Sequence, residues 1–101
     1  MNDDSLRRKI AAIAADSFSS DSPMVIVSSH AKKQMRRRKI QPKQMYEVLM
    51  KGYVVEHAAR DIKGCWKCTL EYLTAGERVK VAAALCQDEN HETVVVITVM
   101  N

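Results

Sequence analysis

Before Gly52 the apolar residues recur with helical spacing, and after it they alternate with a period of two. In the first half, Leu6, Ile10, Ile13, Ala14 and Ser17 keep the i, i+4, i+7, i+8 spacing of one helix face, which predicts a helix over 3–17 capped by Asp3, Asp4 or Ser5. The turn formers of Ser17 to Pro23 predict a hinge, so this helix reads as an appendage that docks on the domain or on a second subunit. Residues 24–28 predict a short strand, Ser28 or Ser29 an N-cap, and 30–39 a helix. On that helix Ala31, Met35 and Arg38 share one stripe and His30, Gln34 and Arg37 lie beside it, while Lys32, Arg36 and Lys39 point away to solvent. Pro42 suits the first turn of a second helix with Met45, Val48 and Leu49 as its apolar stripe, and Gly52 ends it as a C′ residue.

The second half predicts four strands at 53–58, 65–73, 78–86 and 93–100, joined by short connections at 60–64, 74–77 and 87–92. Connections this short imply an antiparallel meander. A symmetric turn at 74–77 sets Tyr72 opposite Val79, Leu70 opposite Val81, Cys68 opposite Ala83 and Trp66 opposite Leu85 on the core face. The other face then carries Glu71 opposite Lys80, Thr69 opposite Ala82, Lys67 opposite Ala84 and Cys65 opposite Cys86. The last run is apolar on both sides, as an interior strand would be. The expected fold class is α+β: an N-terminal helix and hinge over 1–22, then a domain over 23–101 of strand, two-helix hairpin and four-stranded antiparallel meander.

Composition narrows the class of partner more than the fold. The chain is net +4, yet seven basic residues and no acid lie between Lys32 and Lys43, so the remainder is net −3. Basicity confined to one stretch points to a polyanion, nucleic acid first, through Lys32, Lys33, Arg36, Arg37, Lys39 and Lys43, with Lys67 adding charge from the sheet. No stretch approaches the ~20 apolar residues of a membrane span, and the first residues are acidic where a secretory signal is basic, so a cytoplasmic location without membrane contact is expected. Three cysteines do not suit a secreted disulfide framework and favour reduced thiols. Cys65-Trp-Lys-Cys68 has the C-x2-C form, but residues three apart on a strand face opposite ways, so no metal or other cofactor is expected and Cys68 reads as a core residue. Cys65 and Cys86, set face to face, are the pair able to oxidise.

His30-x3-Gln34-Met35-x2-Arg38-x-Ile40, then Val48-Leu49-x2-Gly52 and the closing Val96-Ile97-Thr98-Val99, together resemble the RelE/BrnT-like superfamily of small ribonuclease toxins, over roughly residues 24–100. The closer likeness is to an uncharacterised branch that opens with His-x3-Arg-Met-x2-Arg-x-Ile; here Gln34 replaces the arginine before the methionine, and Lys80 stands on the late strand where relatives often carry a histidine. The resemblance implies a RelE-like fold, RNA as ligand and an antitoxin-like protein as partner.

Cleaving RNA without a metal requires deprotonating the 2′-hydroxyl, stabilising a charged phosphorane and protonating the leaving oxygen. His30 is the candidate acid or base, Arg38 or Arg37 the phosphate clamp, and Lys80 with Lys67 a second cationic contribution, provided the helix edge overhangs the polar sheet face. Each has a structural alternative: His30 at a helix start can pack or cap, Arg38 on the apolar stripe needs an internal partner, and Lys80 can pair across the strands with Glu71. The two resulting expectations are a toxin-type, metal-independent endoribonuclease with His30, Arg38 and Lys80 in its site, and a non-catalytic module of a mobile element holding protein or nucleic acid. Under either, the N-terminal helix is a candidate homodimer contact.

Overall fold

The structure, a computed structural model, describes residues 1–19, 24–87 and 91–101; of the hinge expected over 17–23, residues 17–19 are the last of the N-terminal helix and 20–23 lie outside the described residues, as do residues 88–90 of the 87–92 connection. Eight elements follow in order: α1 (Asp3–Ser19), β1 (Val25–Val27), α2 (Ser29–Arg38), α3 (Pro42–Lys51), β2 (Tyr53–Arg60), β3 (Trp66–Thr74), β4 (Glu77–Gln87) and β5 (Glu92–Met100). This is the expected α+β layout, with a five-stranded sheet in the order β1-β5-β4-β3-β2. The meander is antiparallel, and β1 adds to its far edge parallel to β5, which makes the doubly apolar last strand interior.

The β3–β4 register is the one the sequence implies, from Trp66 opposite Leu85 to Tyr72 opposite Val79. Its connection is two residues, Ala75 and Gly76, with φ of 51° and 80°. Two left-handed residues in succession make the turn whose twist matches that of antiparallel strands, and a glycine at the second position lowers its cost. Outside this hairpin the ladder is less regular. The β2–β3 pairing shifts twice between Val54 and Ala59, and the β4–β5 pairing shifts between Ala82 and Ala83, leaving Ile97 as the extra residue of a bulge in β5.

Alternation on the strands gives the sheet one apolar face, and the helices pack against it. Leu70, Val79, Val81, Ala83, Val94, Val96 and Val99 are fully buried there with Val48 of α3, and the same cluster takes in Leu6, Ile10 and Ala14 of α1 and Ala31 and Met35 of α2. The N-terminal helix thus contributes to the single core. Asn2, not Asp3, Asp4 or Ser5, caps it: its Oδ1 accepts from the Ser5 N–H at 2.8 Å. Asp3 reaches instead to the edge strand, where its carboxylate accepts from the Ala58 N–H and meets His57 Nδ1, each at 2.7 Å.

The cysteines depart from the reduced-thiol expectation. Cys65 and Cys86, opposite one another in the register, are joined as a disulfide with Cα atoms 4.5 Å apart, which ties the start of β3 to the end of β4. Cys68 is free and buried on the core face, and burial pushes its thiol up to about 11.

Gly52 is a glycine for a different reason than a left-handed cap. Its backbone is extended, with φ of −67°. A Cβ at this position would overlap the Val48 carbonyl oxygen and lie 3.2 Å from both the Glu71 carbonyl oxygen and Leu70 Cβ. The end of α3 therefore touches β3 directly. Gly52→Ala should cost about 1–3 kcal/mol through this crowding, read as a lower urea midpoint with an unchanged slope.

The Asp3–His57 contact predicts a pH dependence. The Ala58 N–H and then His57 hold the Asp3 carboxyl below its usual 3.8, and the hydrogen bond to Asp3 raises His57 above its usual 6.5. His57 thus stabilises the fold fully below 6.5 and ceases to as pH rises through its raised value, while Asp3 does so above 3.8 and ceases to as pH falls through its lowered one. The urea midpoint of the wild type should fall as pH climbs past 6.5, and His57→Ala should remove that decline.

Candidate nucleic-acid interface

α2 is built to display charge. Only Ala31 and Met35 of its ten residues are buried, and Lys32, Lys33, Arg36, Arg37 and Arg38 are exposed, as are Lys39 and Lys43 beyond its end. Both ends of the helix are tied to β5. Ser28 Oγ accepts from the Ala31 N–H and donates to the carbonyl of the bulged residue Ile97, each at 3.1 Å. At the other end Arg38 donates to Gln34 Oε1 at 3.1 Å and to Asn101 Oδ1 at 3.2 Å, just past the last strand. Lys39, left-handed with φ of 56°, closes the helix, and the Ile40 N–H returns to the Met35 carbonyl at 2.9 Å. The concentration of arginines in the last turn complements the partial negative charge of a helix C-terminus.

None of the seven cations of this stretch forms an ion pair among the described residues. The pairs present lie elsewhere: Arg7 and Arg8 with Asp4, Lys9 with Glu92, His57 with Asp3, and Arg78 with Glu71. Arg38, expected to need an internal partner, is exposed; it donates to two neutral partners and is the cation of the set most committed to structure. His30, Lys33 and Arg37 fall at i, i+3 and i+7 on the outward side of α2, and all three are exposed.

The expectation that His30, Arg38 and Lys80 meet is corrected by the sheet. Lys80 alternates with Val79 and Val81, and Lys67 with Cys68, all three buried on the helix-covered face, so both lysines project from the opposite face. α2 lies on the covered side, where Ala31 and Met35 join the core. His30 and Arg38 are themselves eight residues apart, about 12 Å along the helix axis. Lys80 has Glu71 as its register partner but forms no ion pair among the described residues; Glu71 is 3.7 Å from Arg78 Nη1 instead.

Lys32, Arg36 and Lys39, expected to point into solvent, are exposed and also line a groove of about 520 Å³ between α2 and α3, floored by Met35, Ile40, Met45 and Tyr46. The helical spacing was legible, but which side of α2 faces α3 depends on the turn at Lys39, which no periodicity encodes.

A second cluster, on the open sheet face, has no counterpart in the sequence reading. The Tyr53 hydroxyl donates to Glu71 Oε2 at 2.8 Å, and the Thr69 hydroxyl donates to Glu56 Oε1 at 2.7 Å. The bond to the Glu71 carboxylate holds the Tyr53 phenol above its usual 10.0. The shifts in the β2–β3 register hide this pairing from any symmetric reading of the loop. Among the described residues no three His, Cys, Asp or Glu side chains converge as a metal-binding set.

No curated protein and no solved structure matches the chain. A family model does, over residues 27–101, from the last residue of β1 through the C-terminus and without α1. That is most of the chain, so the protein belongs to the family described as a domain of unknown function, DUF4258.

Proposed function

We propose that this domain contacts RNA, or a polyanion of similar charge spacing, through the exposed side of α2. The observation that carries the reading is that the seven cations gathered from Lys32 to Lys43 have no acidic partner among the described residues, whereas Arg7, Arg8, Lys9 and Arg78 elsewhere have one. Unpaired, fully hydrated cations on a fixed helix bind phosphates by releasing the counterions condensed on a nucleic acid. Lys33 and Arg37, with His30 one turn before Lys33 on the same outward side, form the centre of the proposed contact, and Lys43 extends it onto α3. Lys67 and Lys80 project from the far face and are left out of it.

The resemblance to RelE/BrnT-like toxins supports RNA over other polyanions, and with it a cytoplasmic location and an antitoxin-like protein partner. In such a compartment the Cys65–Cys86 bond is open to the thiol pool. Metal-independent cleavage is the second reading. What favours it is the placement of the exposed His30 one turn before Lys33 on the same side of α2; what it lacks is a second proton-transfer group beside that imidazole, since Lys80 is on the other face.

The double charge reversal Lys33→Glu with Arg37→Glu should weaken binding of single-stranded RNA by about tenfold or more at moderate salt, and should flatten the salt dependence of log K by about one unit for each cation removed. Fluorescence anisotropy across a salt series measures both. Unchanged affinity and slope would sink the proposal. If cleavage also occurs, the same samples run on a gel will show products that disappear with His30→Ala.

A further inference from the structure

The groove between α2 and α3 is a poor fit to phosphate alone. Its floor is apolar, made by Met35, Ile40, Met45 and Tyr46, and its rim is cationic, made by Lys32, Arg36 and Lys39. A volume of about 520 Å³ is within the range of binding clefts, and no acid is among its described lining residues. The three cations are spaced i, i+4, i+7, so the positive charge runs along the groove for about 10 Å instead of gathering at one end.

We infer that this groove docks a short acidic amphipathic helix of a partner protein, its apolar stripe on the floor and its carboxylates along the Lys32–Arg36–Lys39 rim. Charge complementarity selects this occupant over others. A nucleic acid supplies a row of negative charges but no apolar stripe for Met45 and Tyr46. An acyl anion supplies an apolar tail but a single charge, leaving two of three rim cations unmatched. A membrane is flat, and Met35, Ile40 and Met45 are only 7%, 4% and 1% exposed, too recessed for a planar surface to reach. A helix two to three turns long answers both features, because acids at i, i+4 and i+7 repeat at the spacing of the rim while its i, i+3, i+7 residues fill the groove. The floor is also adaptable: two of its four residues are methionines, whose unbranched side chains repack around different anchors.

The docking uses three cations of the proposed RNA face but does not depend on RNA being the ligand there. Full-length protein is titrated, by fluorescence anisotropy, with a labelled synthetic helix carrying leucines on one stripe and glutamates on the flank. A scrambled peptide of the same composition, dodecanoate, and vesicles of mixed neutral and anionic phospholipid are run as competitors. The helix should bind and the scrambled peptide should bind about tenfold or more weakly; Arg36→Glu on the rim and Tyr46→Ser on the floor should each weaken the helix by about tenfold. Lys33→Glu with Arg37→Glu should leave helix binding within about twofold while reducing RNA binding. Arg36 is exposed, so its reversal tests the rim even if Tyr46→Ser disturbs the packing of Tyr46 on Phe18. Equal binding of the scrambled peptide, displacement by dodecanoate or vesicles at matched concentration, or indifference to Arg36→Glu would overturn the inference. Loss of RNA binding alone, with helix docking intact, would count against the proposed function and leave this site standing.

Discussion

A ten-residue helix that buries two side chains cannot hold its place by apolar packing alone. Met35 contributes on the order of 2–3 kcal/mol by burial and Ala31 less, and an isolated helix of this length is unstable in water. What fixes α2 is the Ser28 hydroxyl, which caps the helix and at the same time donates to the carbonyl freed by the bulge at Ile97. The bulge is therefore a positioning device as well as an irregularity in β5. Arg38 completes the arrangement at the far end by reaching Asn101. Between these two ties, the remaining positions of α2 are released from packing and free to carry charge.

The second constraint is the one-sided covering of the sheet. Strict alternation on β3 and β4 sends Leu70, Val79 and Val81 toward the helices and Glu71, Lys80 and Lys67 away from them. The basic residues of the chain are in this way divided between two surfaces that cannot touch one ligand atom. On the helix side, the turn at Lys39 folds α3 back so that Lys32 and Arg36 flank an apolar floor. On the open side, Glu71 is 6% exposed and satisfied by the Tyr53 hydroxyl, which gives that face a fixed polar centre instead of a free cationic one.

How legible all this was depends on the range of the interaction involved. The β3–β4 hairpin was readable residue by residue because a two-residue turn fixes register locally, and Cys65 fell opposite Cys86 by the same rule. The cysteine count pointed the other way, since three cysteines argue against a framework but do not prevent one local bond. The stripe of Ala31 and Met35 was readable from helical spacing, whereas the groove on its flank was not, because it needs the direction of α3. The contact of Asp3 with His57 joins residues 54 apart and exists only once α1 has docked, so no local pattern announces it. The convergence of His30, Arg38 and Lys80 failed for the same reason in reverse: it required knowing which face of the sheet the helix covers.

The central claim is that the surface of α2, and not the open sheet face, meets the polyanion. Backbone amide chemical shifts of the full chain, followed while single-stranded RNA is added, locate that contact directly. The account predicts changes concentrated at residues 30–39 and Lys43, with the amides of Lys67, Glu71 and Lys80 unmoved. Changes centred on β3 and β4 with α2 silent would contradict it.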